Sequence, residues 1–158
     1  MIRRGRGFTL IEMVVVVAIV GILASAALPL LELSRRRSQE FELRQALRQL
    51  RGALDDYKRA ADQGLVAKPA DASGYPASLQ LLVDGVPDAR TPDGSRRVYF
   101  LRRLPRDPLA DPALPAAGTW ALRAYDSPPD APRAGADVFD VASMAPGTAL
   151  DGSRYRDW

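Results

Sequence analysis

The sequence predicts an α+β fold, in which one long N-terminal helix with a membrane-spanning first half packs on a small antiparallel β-sheet with a short second helix. Three observations predict it: residues 8–31 are apolar with one charge, residues 43–61 carry an apolar stripe at helical spacing, and short apolar runs alternate with turns thereafter. The predicted parts of the 158-residue chain are a basic leader (1–7), a span (8–31), an amphipathic continuation of the helix (32–62) and a globular part (63–158).

The apolar span FTLIEMVVVVAIVGILASAALPLL (8–31) follows three arginines in the leader, and its length suits a helix that crosses about 30 Å of hydrocarbon. Its single charge is Glu12. A lone carboxylate within a membrane helix costs about 2.5–3.5 kcal/mol even on insertion scales, so we expect Glu12 to have a partner or a purpose.

Three interpretations of the span compete. As a secretory signal peptide, it would be cut after the A-x-A site Ala24-Ser25-Ala26 and would release a soluble exported module. As an uncleaved signal anchor, it would remain intact, and neither interpretation uses Glu12. If the chain is cut after Gly7, the new α-amino group on Phe8 lies at one end of the helix. Glu12 then lies roughly 6 Å along the axis, where a neighbouring subunit's amine can neutralise it.

The segment GFTLIE (7–12), with the valine-rich run and Pro29 after it, resembles the class III signal of type IV pilins and type II secretion pseudopilins. The resemblance implies that a prepilin peptidase and methyltransferase cuts between Gly7 and Phe8 and methylates the Phe8 amine. It also implies that Glu12 and Phe8 act in assembly, and that the helix loosens between Gly21 and Pro29 in a filament. The alternative for Gly21 and Pro29 is a tolerated kink in a membrane helix.

The amphipathic part of the helix contains no proline from residue 30 to residue 68, and its apolar residues recur at steps of four and three. The stripe covers fewer than three heptads, so we expect it to pack on the chain's own globular part rather than in a coiled coil. Opposite charges four residues apart, as in Arg51 with Asp55 and Asp55 with Arg59, also favour a helix. The stripe consists of Leu43, Leu47, Leu50, Leu54, Tyr57 and Ala61.

The globular part is predicted to hold a short helix at 77–84, stopped by Gly85, and three strands at 97–103, 119–125 and 136–142. Short strands joined by loops after one long helix suggest an antiparallel sheet that packs against the stripe. Asp107, between two prolines, is interpreted as a turn former rather than a ligand.

The body also carries a resemblance, because Tyr75-Pro76 before the short helix, LPRDP (104–108), Asp137-Val138-Phe139 and Trp158 are similar to the major pseudopilin of type II secretion. This implies a pilin-like fold and a homopolymeric filament, with other pseudopilins and an inner-membrane secretion platform as partners. The implied location is the bacterial inner membrane, in lipid, with a single pass and a periplasmic C-terminal part, and then a periplasmic filament. The arginines at 35–37 leave the orientation undecided by charge alone. The alternative function is a type IV pilus pilin in adhesion, motility or DNA uptake.

Many major pseudopilins bind calcium in the loop after their last strands. Here the carboxylates near that loop are Asp137, Asp140, Asp151 and Asp157. They are weak candidates, because Ca²⁺ takes six to eight oxygen ligands and the spacing matches no EF-hand. We expect no cofactor, with calcium as the alternative.

The composition excludes several function classes. The chain contains no cysteine and no histidine, which excludes disulfides, thiolate or imidazole metal sites and Ser-His-Asp triads. The acid pairs Asp107 with Asp111 and Asp137 with Asp140 lie among turn residues, so an enzyme is not predicted. Without the leader arginines the 22 basic side chains fall to 19, equal to the 19 acidic ones, and nucleic-acid binding is not expected.

Overall fold

The computed structural model describes residues 8–91 and 94–158, and the side chains of residues 26–28 are outside that description. Helix α1 covers Leu10–Asp62 and is followed by helix α2 at Leu81–Asp84. The chain divides into two compact units, Met1–Ser38 and Gln39–Trp158. The predicted leader (1–7) lies outside the described residues.

Within the first unit, α1 begins at Leu10 and passes through Gly21 and Pro29 without interruption. All described side chains from residue 8 to residue 25 are exposed. A helix that is apolar on every side is not built to face water. This part of α1 contains a window of 18 residues with a mean hydropathy of 2.8, long and apolar enough to cross a membrane.

Within the second unit, the predicted stripe is the buried face of α1. Leu43 and Leu50 are fully buried, and the other stripe residues are at most 8% exposed. They share one apolar core with Trp120 and Val141 from the strands, which confirms that the helix packs on its own globular part.

The strands form two small sheets instead of the single sheet that was predicted. Strand β1 (Val86–Pro87) pairs antiparallel with β2 (Arg97–Val98), and the register joins Val86 to Val98. Strand β3 (Trp120–Arg123) pairs antiparallel with β4 (Asp140–Ser143), and the register joins Trp120 to Ser143. Short 3-10 helices cover Ala116–Thr119 and Tyr155–Asp157.

The predicted elements are correct in order but too long. The strand predicted at 97–103 ends at Val98, because the amides of Phe100 and Leu101 both donate to the Leu82 carbonyl, at 3.0 and 2.9 Å, and so leave the ladder. The strand predicted at 136–142 begins only at Asp140, since the Val138 amide donates to the Pro76 carbonyl at 2.8 Å. The strand predicted at 119–125 loses its first residue to a 3-10 helix and its last two to a turn.

The helix predicted at 77–84 is reduced to the single turn of α2. The amides of residues 81–83 each donate to the carbonyl three residues earlier, which is the tighter 3-10 pattern. The helix stops at Gly85, as predicted, where φ is 70° and a Cβ would lie 2.8 Å from the Tyr99 ring. Strand β1 was missed, because two residues that include a proline give no alternating pattern.

Candidate functional site

The start of α1 places Phe8, Thr9 and Glu12 together. The Thr9 hydroxyl accepts a hydrogen bond of 3.3 Å from the Glu12 amide, and the Thr9 carbonyl accepts one of 3.2 Å from the Met13 amide. Thr9 is therefore the N-cap of the helix, and Glu12 stands three residues later, at the acidic position of a capping box. Sequence reasoning missed this cap, although the Thr-x-x-Glu spacing was its signal.

Glu12 lies in the first turn of α1, where its carboxylate can interact with the positive end of the helix dipole. The exposed amides of a helix N-terminus carry a partial positive charge that stabilises a nearby anion by about 0.3–1 kcal/mol. Within the described residues the carboxylate has no partner side chain in its own subunit. The Glu12 carboxylate thus lies at the N-terminal end of the helix without an ion-pair partner among residues 8–91 and 94–158.

Phe8 precedes α1 and its side chain is 74% exposed. Gly7, the other residue of the predicted cut, lies outside the described residues. The predicted processing site therefore stays a prediction.

Gly21 lies in α1, and a Cβ built at this position would meet no atom within 4 Å, so the space around it is open. Packing within the subunit does not require a glycine at this position. Pro29 also lies inside the helix, where its ring lacks an amide for the helical ladder. The predicted loosening between these residues concerns a filament and stays a prediction.

In the globular part, Glu40 and Arg44 of α1 hold the C-terminal segment (149–158). The buried carboxylate of Glu40 accepts hydrogen bonds from the Leu150 amide at 2.9 Å and from the Tyr155 hydroxyl at 3.0 Å. Arg44 binds Asp151 at 2.7 Å, and its guanidinium lies 4.1 Å from the centre of the Trp158 ring. The segment is therefore fastened to α1 by hydrogen bonds, charge and aromatic contact.

Arg51 extends this attachment to strand β4. Its guanidinium binds the Asp140 carboxylate at 2.7 Å, the Val141 carbonyl at 3.0 Å and the main-chain oxygen of Trp158 at 2.7 Å. The pairs predicted along the helix, Arg51 with Asp55 and Asp55 with Arg59, are not the ones formed. Arg51 binds β4, and Arg59 binds Asp56 at 2.7 Å.

The calcium candidates are each occupied by protein groups. Asp140 binds Arg51, Asp151 binds Arg44, and Asp157 binds Arg154 at 2.7 Å. Asp137 accepts from the Ser73 hydroxyl and from the Tyr125 amide. No cluster of three or more acidic side chains that would suit a metal ion occurs within residues 8–91 and 94–158. As arranged here, the four carboxylates do not fit a calcium site.

Asp107 is a buried turn residue, which confirms the prediction and extends it. One carboxylate oxygen accepts from the Leu109 amide at 2.7 Å, and the other accepts from the Ser143 hydroxyl at 2.5 Å. Its own amide donates to the Thr119 hydroxyl at 3.2 Å. The residue therefore ties the proline-rich loop to β4 and to the turn before β3.

Comparison with known proteins gives one family model and several relatives. Residues 2–28 match the model described as the prokaryotic N-terminal methylation motif. The chain is 38% identical over 113 residues to the type II secretion system core protein G of Klebsiella pneumoniae, with 67% of this chain and 70% of that protein covered. It is 34% identical over 113 residues to the protein of the same name from Aeromonas hydrophila, with 70% and 71% covered.

A third relative, the type II secretion system core protein G of Vibrio cholerae, is 35% identical over 109 residues, with 67% of this chain and 66% of that protein covered. No solved structure matches the chain significantly. The matched lengths far exceed the methylation motif, so the similarity includes the globular part.

Proposed function

The chain belongs to the type II secretion system core protein G family, the major pseudopilins, and on that premise we propose that it is the structural subunit of a secretion pseudopilus that drives protein export across the outer membrane. The observation that carries the proposal is 38% identity to such a protein over 113 residues, together with the N-terminal methylation motif at residues 2–28. As a member of this family the chain is a structural protein and not an enzyme. The relatives bear secretion names, so the type IV pilin alternative is not favoured.

Processing comes first in the proposed sequence of events. A prepilin peptidase and methyltransferase cuts between Gly7 and Phe8 and methylates the new amine. The cut removes the leader arginines but leaves Thr9, the residue that caps α1. The helix start seen in this structure is thus preserved in the mature chain, with Glu12 one turn from the new terminus.

The exposed apolar part of α1 supports the proposed assembly. Before assembly lipid covers these side chains, which are exposed in the single subunit. In the filament, the same side chains pack against the helices of neighbouring subunits. Apolar surface is covered in both states, so its burial sets no axial position, and the cohesion comes from close packing between the helices.

Glu12 supplies the axial register. Its carboxylate is unfavourable in lipid unless neutralised, and a neighbour's Phe8 amine neutralises it only at one stagger of the two helices. The charge therefore selects that stagger, while the Thr9 cap orients the backbone around it.

The proposed location is the bacterial inner membrane, with the N-terminus in the cytoplasm and the globular part in the periplasm. The apolar helix and the methylation motif support anchoring in a membrane. The proposed partners are further copies of the chain, other pseudopilins and the inner-membrane secretion platform. Filament growth from the platform would place the globular parts outward, where they meet the exported protein.

Deletion of the gene in the native host tests the function. We expect exported proteins to accumulate in the periplasm and to be secreted again when the wild-type chain is restored. A chain with Gly7→Glu, which is not cut, should fail to restore secretion and serves as the matched control. Normal secretion combined with lost motility, adhesion or DNA uptake would contradict the proposal and favour the pilin alternative.

A further inference from the structure

We propose that a cleft in the globular part receives two arginines of a second copy of this chain, and that this contact joins neighbouring globular parts in the filament. The tyrosine cleft is lined by Tyr57, Tyr75 and Tyr125 with acidic side chains at its rim. The arginine patch consists of Arg102 and Arg103. The inference rests on the proposed function, because it names the surface through which copies of the subunit meet.

The tyrosine cleft offers a fixed aromatic surface in a space of about 840 Å³. The rings of Tyr75 and Tyr125 are stacked with their centres 5.9 Å apart, and Phe139 packs edge-on against both at 5.1 and 5.6 Å. Tyr125 is nevertheless 58% exposed. Exposed aromatic faces attract guanidinium groups, and a ring that is already held in place loses little freedom when one binds.

The charge of the cleft is negative. The two lysines that line it, Lys58 and Lys68, share the single carboxylate of Asp62, and with the lining residues Asp71, Asp126 and Asp137 there are four carboxylates against two ammonium groups. Asp71 and Asp126 also line the cleft, are exposed, and form no ion pair with any side chain in the described part of the chain. The rim therefore presents two free carboxylates beside the aromatic rings.

The arginine patch has the complementary charge. Arg102 and Arg103 are exposed, and neither has a hydrogen bond or ion pair within residues 8–91 and 94–158. Neighbouring arginines differ, because Arg97 donates to the Gly85 carbonyl and Arg106 donates to the Leu114 carbonyl. The patch thus carries two cations that the subunit itself does not use.

Arg103 and the tyrosine cleft lie on opposite flanks of the second half of α1, and Arg102 is next to Arg103 in the chain, in a groove with Val83 and Tyr99. Arg103 shares a shallow groove with Gln45 and Gln49 of the helix, whereas the tyrosine cleft borders Lys58. Gln49 and Lys58 are nine residues apart, about two and a half turns, so they face opposite directions at roughly 180°. A helical filament requires head-to-tail contacts between two different surfaces of each subunit, and this placement provides them.

Cysteine cross-linking tests the contact directly, because the natural chain contains no cysteine. Arg102→Cys and Ala136→Cys place one thiol in the patch and one in the cleft, and they keep Arg103 and both rim carboxylates. A short bismaleimide added to filaments should give a ladder of multimers from the double variant and no ladder from either single variant. Filaments without a ladder would overturn the inference and leave the proposed function intact.

Two other results of this experiment would also overturn the inference. A product that stops at the dimer would indicate a symmetric contact, and attachment to a different protein would identify another occupant of the cleft. If the wild-type chain forms no filaments at all, the proposed function fails and the inference fails with it.

Charge reversal provides an independent measurement. Arg102→Glu with Arg103→Glu should lower the yield of sheared filaments severalfold, and adding Asp71→Arg with Asp126→Arg in the same chain should restore it. Arg133→Glu, at an exposed arginine whose side chain has no partner in the described ranges, is the control and should assemble normally. Normal yield from the first pair, or no recovery in the fourfold variant, would refute the contact.

Discussion

The carboxylate of Glu40 and the hydroxyl of Tyr155 form a hydrogen bond of 3.0 Å within the core of the globular part. The two residues are 115 positions apart in the chain, and the same carboxylate also accepts from the Leu150 amide at 2.9 Å. An acid on the buried side of α1 thus determines where the C-terminal segment lies. Because a buried polar group is costly without partners, the segment and the helix each depend on the other.

We expect Glu40→Ala to destabilise the globular part by about 1–3 kcal/mol, because it removes the carboxylate that accepts from a part-buried amide and from a buried hydroxyl. Glu40→Gln keeps one acceptor oxygen and should cost less. Urea unfolding of the full chain in detergent, followed by tryptophan fluorescence, measures the change, since both tryptophans, Trp120 and Trp158, lie in the globular part. Equal stability of the alanine variant and the wild type would contradict the assigned role.

Stability should also fall in acid through Asp151. Hydrogen bonds from the Ser153 hydroxyl and amide, with Arg44 nearby, lower the pKa of the Asp151 carboxyl. A carboxyl with a lower pKa in the folded state stabilises it above the unfolded value of about 3.9, and this contribution is lost as the pH falls through the folded pKa. Hydrogen bonds from Lys58 and Lys68 also lower the pKa of the Asp62 carboxyl, so its contribution to stability is lost in acid in the same way.

Urea unfolding at a series of pH values below about 5 measures this loss. Asp151→Asn should make the profile shallower in that range, and Ser153→Ala should do so to a smaller extent because it removes only the hydroxyl donor. A profile that is unchanged in Asp151→Asn would show that this carboxylate does not stabilise the folded chain.

We expect the globular part to fold without calcium, since Arg51, Arg44 and Arg154 already bind three of the candidate carboxylates. The midpoint of urea unfolding should be the same in a chelator and in millimolar CaCl₂, with MgCl₂ as a control for ionic strength. A specific ion at 100 times its dissociation constant would add about 2.7 kcal/mol. A rise in midpoint with calcium alone would show that the ion displaces these arginines.

Glu12→Ala should leave cleavage intact and impair filament assembly, because it removes the charge that pairs with a neighbour's amine. Glu12→Gln separates this role from helix capping, since the amide retains an acceptor at the capping-box position but has no charge. Thr9→Val, which removes the capping hydroxyl, is the reverse control and should still assemble. Western blots score cleavage, and sheared fractions score filaments. Normal filaments from Glu12→Gln would mean that the charge does not set register.

Local patterns in the sequence predicted much of the fold. The spacing of Leu43, Leu47, Leu50 and Leu54 identified the buried face of α1 before any partner was known, because burial on a helix follows its own period. Strand ends were less predictable. The amide of Phe100 donates to the Leu82 carbonyl, and an alternating pattern of apolar residues does not indicate such a partner.

The functional residues also differ in how far they could be predicted from local sequence. GFTLIE (7–12) is a contiguous motif and could be recognised in one pass, whereas the partners of Arg51 lie 89 to 107 residues away. Local spacing favoured Asp55, but β4 and the C-terminal segment bring a carboxylate and two main-chain oxygens to the same guanidinium. Such convergence follows from tertiary packing and has no local signature.

Mass spectrometry of the mature N-terminal peptide, from membranes of the native host, tests the central claim most directly. The account predicts a peptide that begins at Phe8 with a methylated α-amine, because processing after Gly7 keeps the apolar helix and creates the cation for Glu12. A chain that begins at Ala27 would be a soluble exported protein without that helix, and it would contradict both the anchoring and the assembly proposed here.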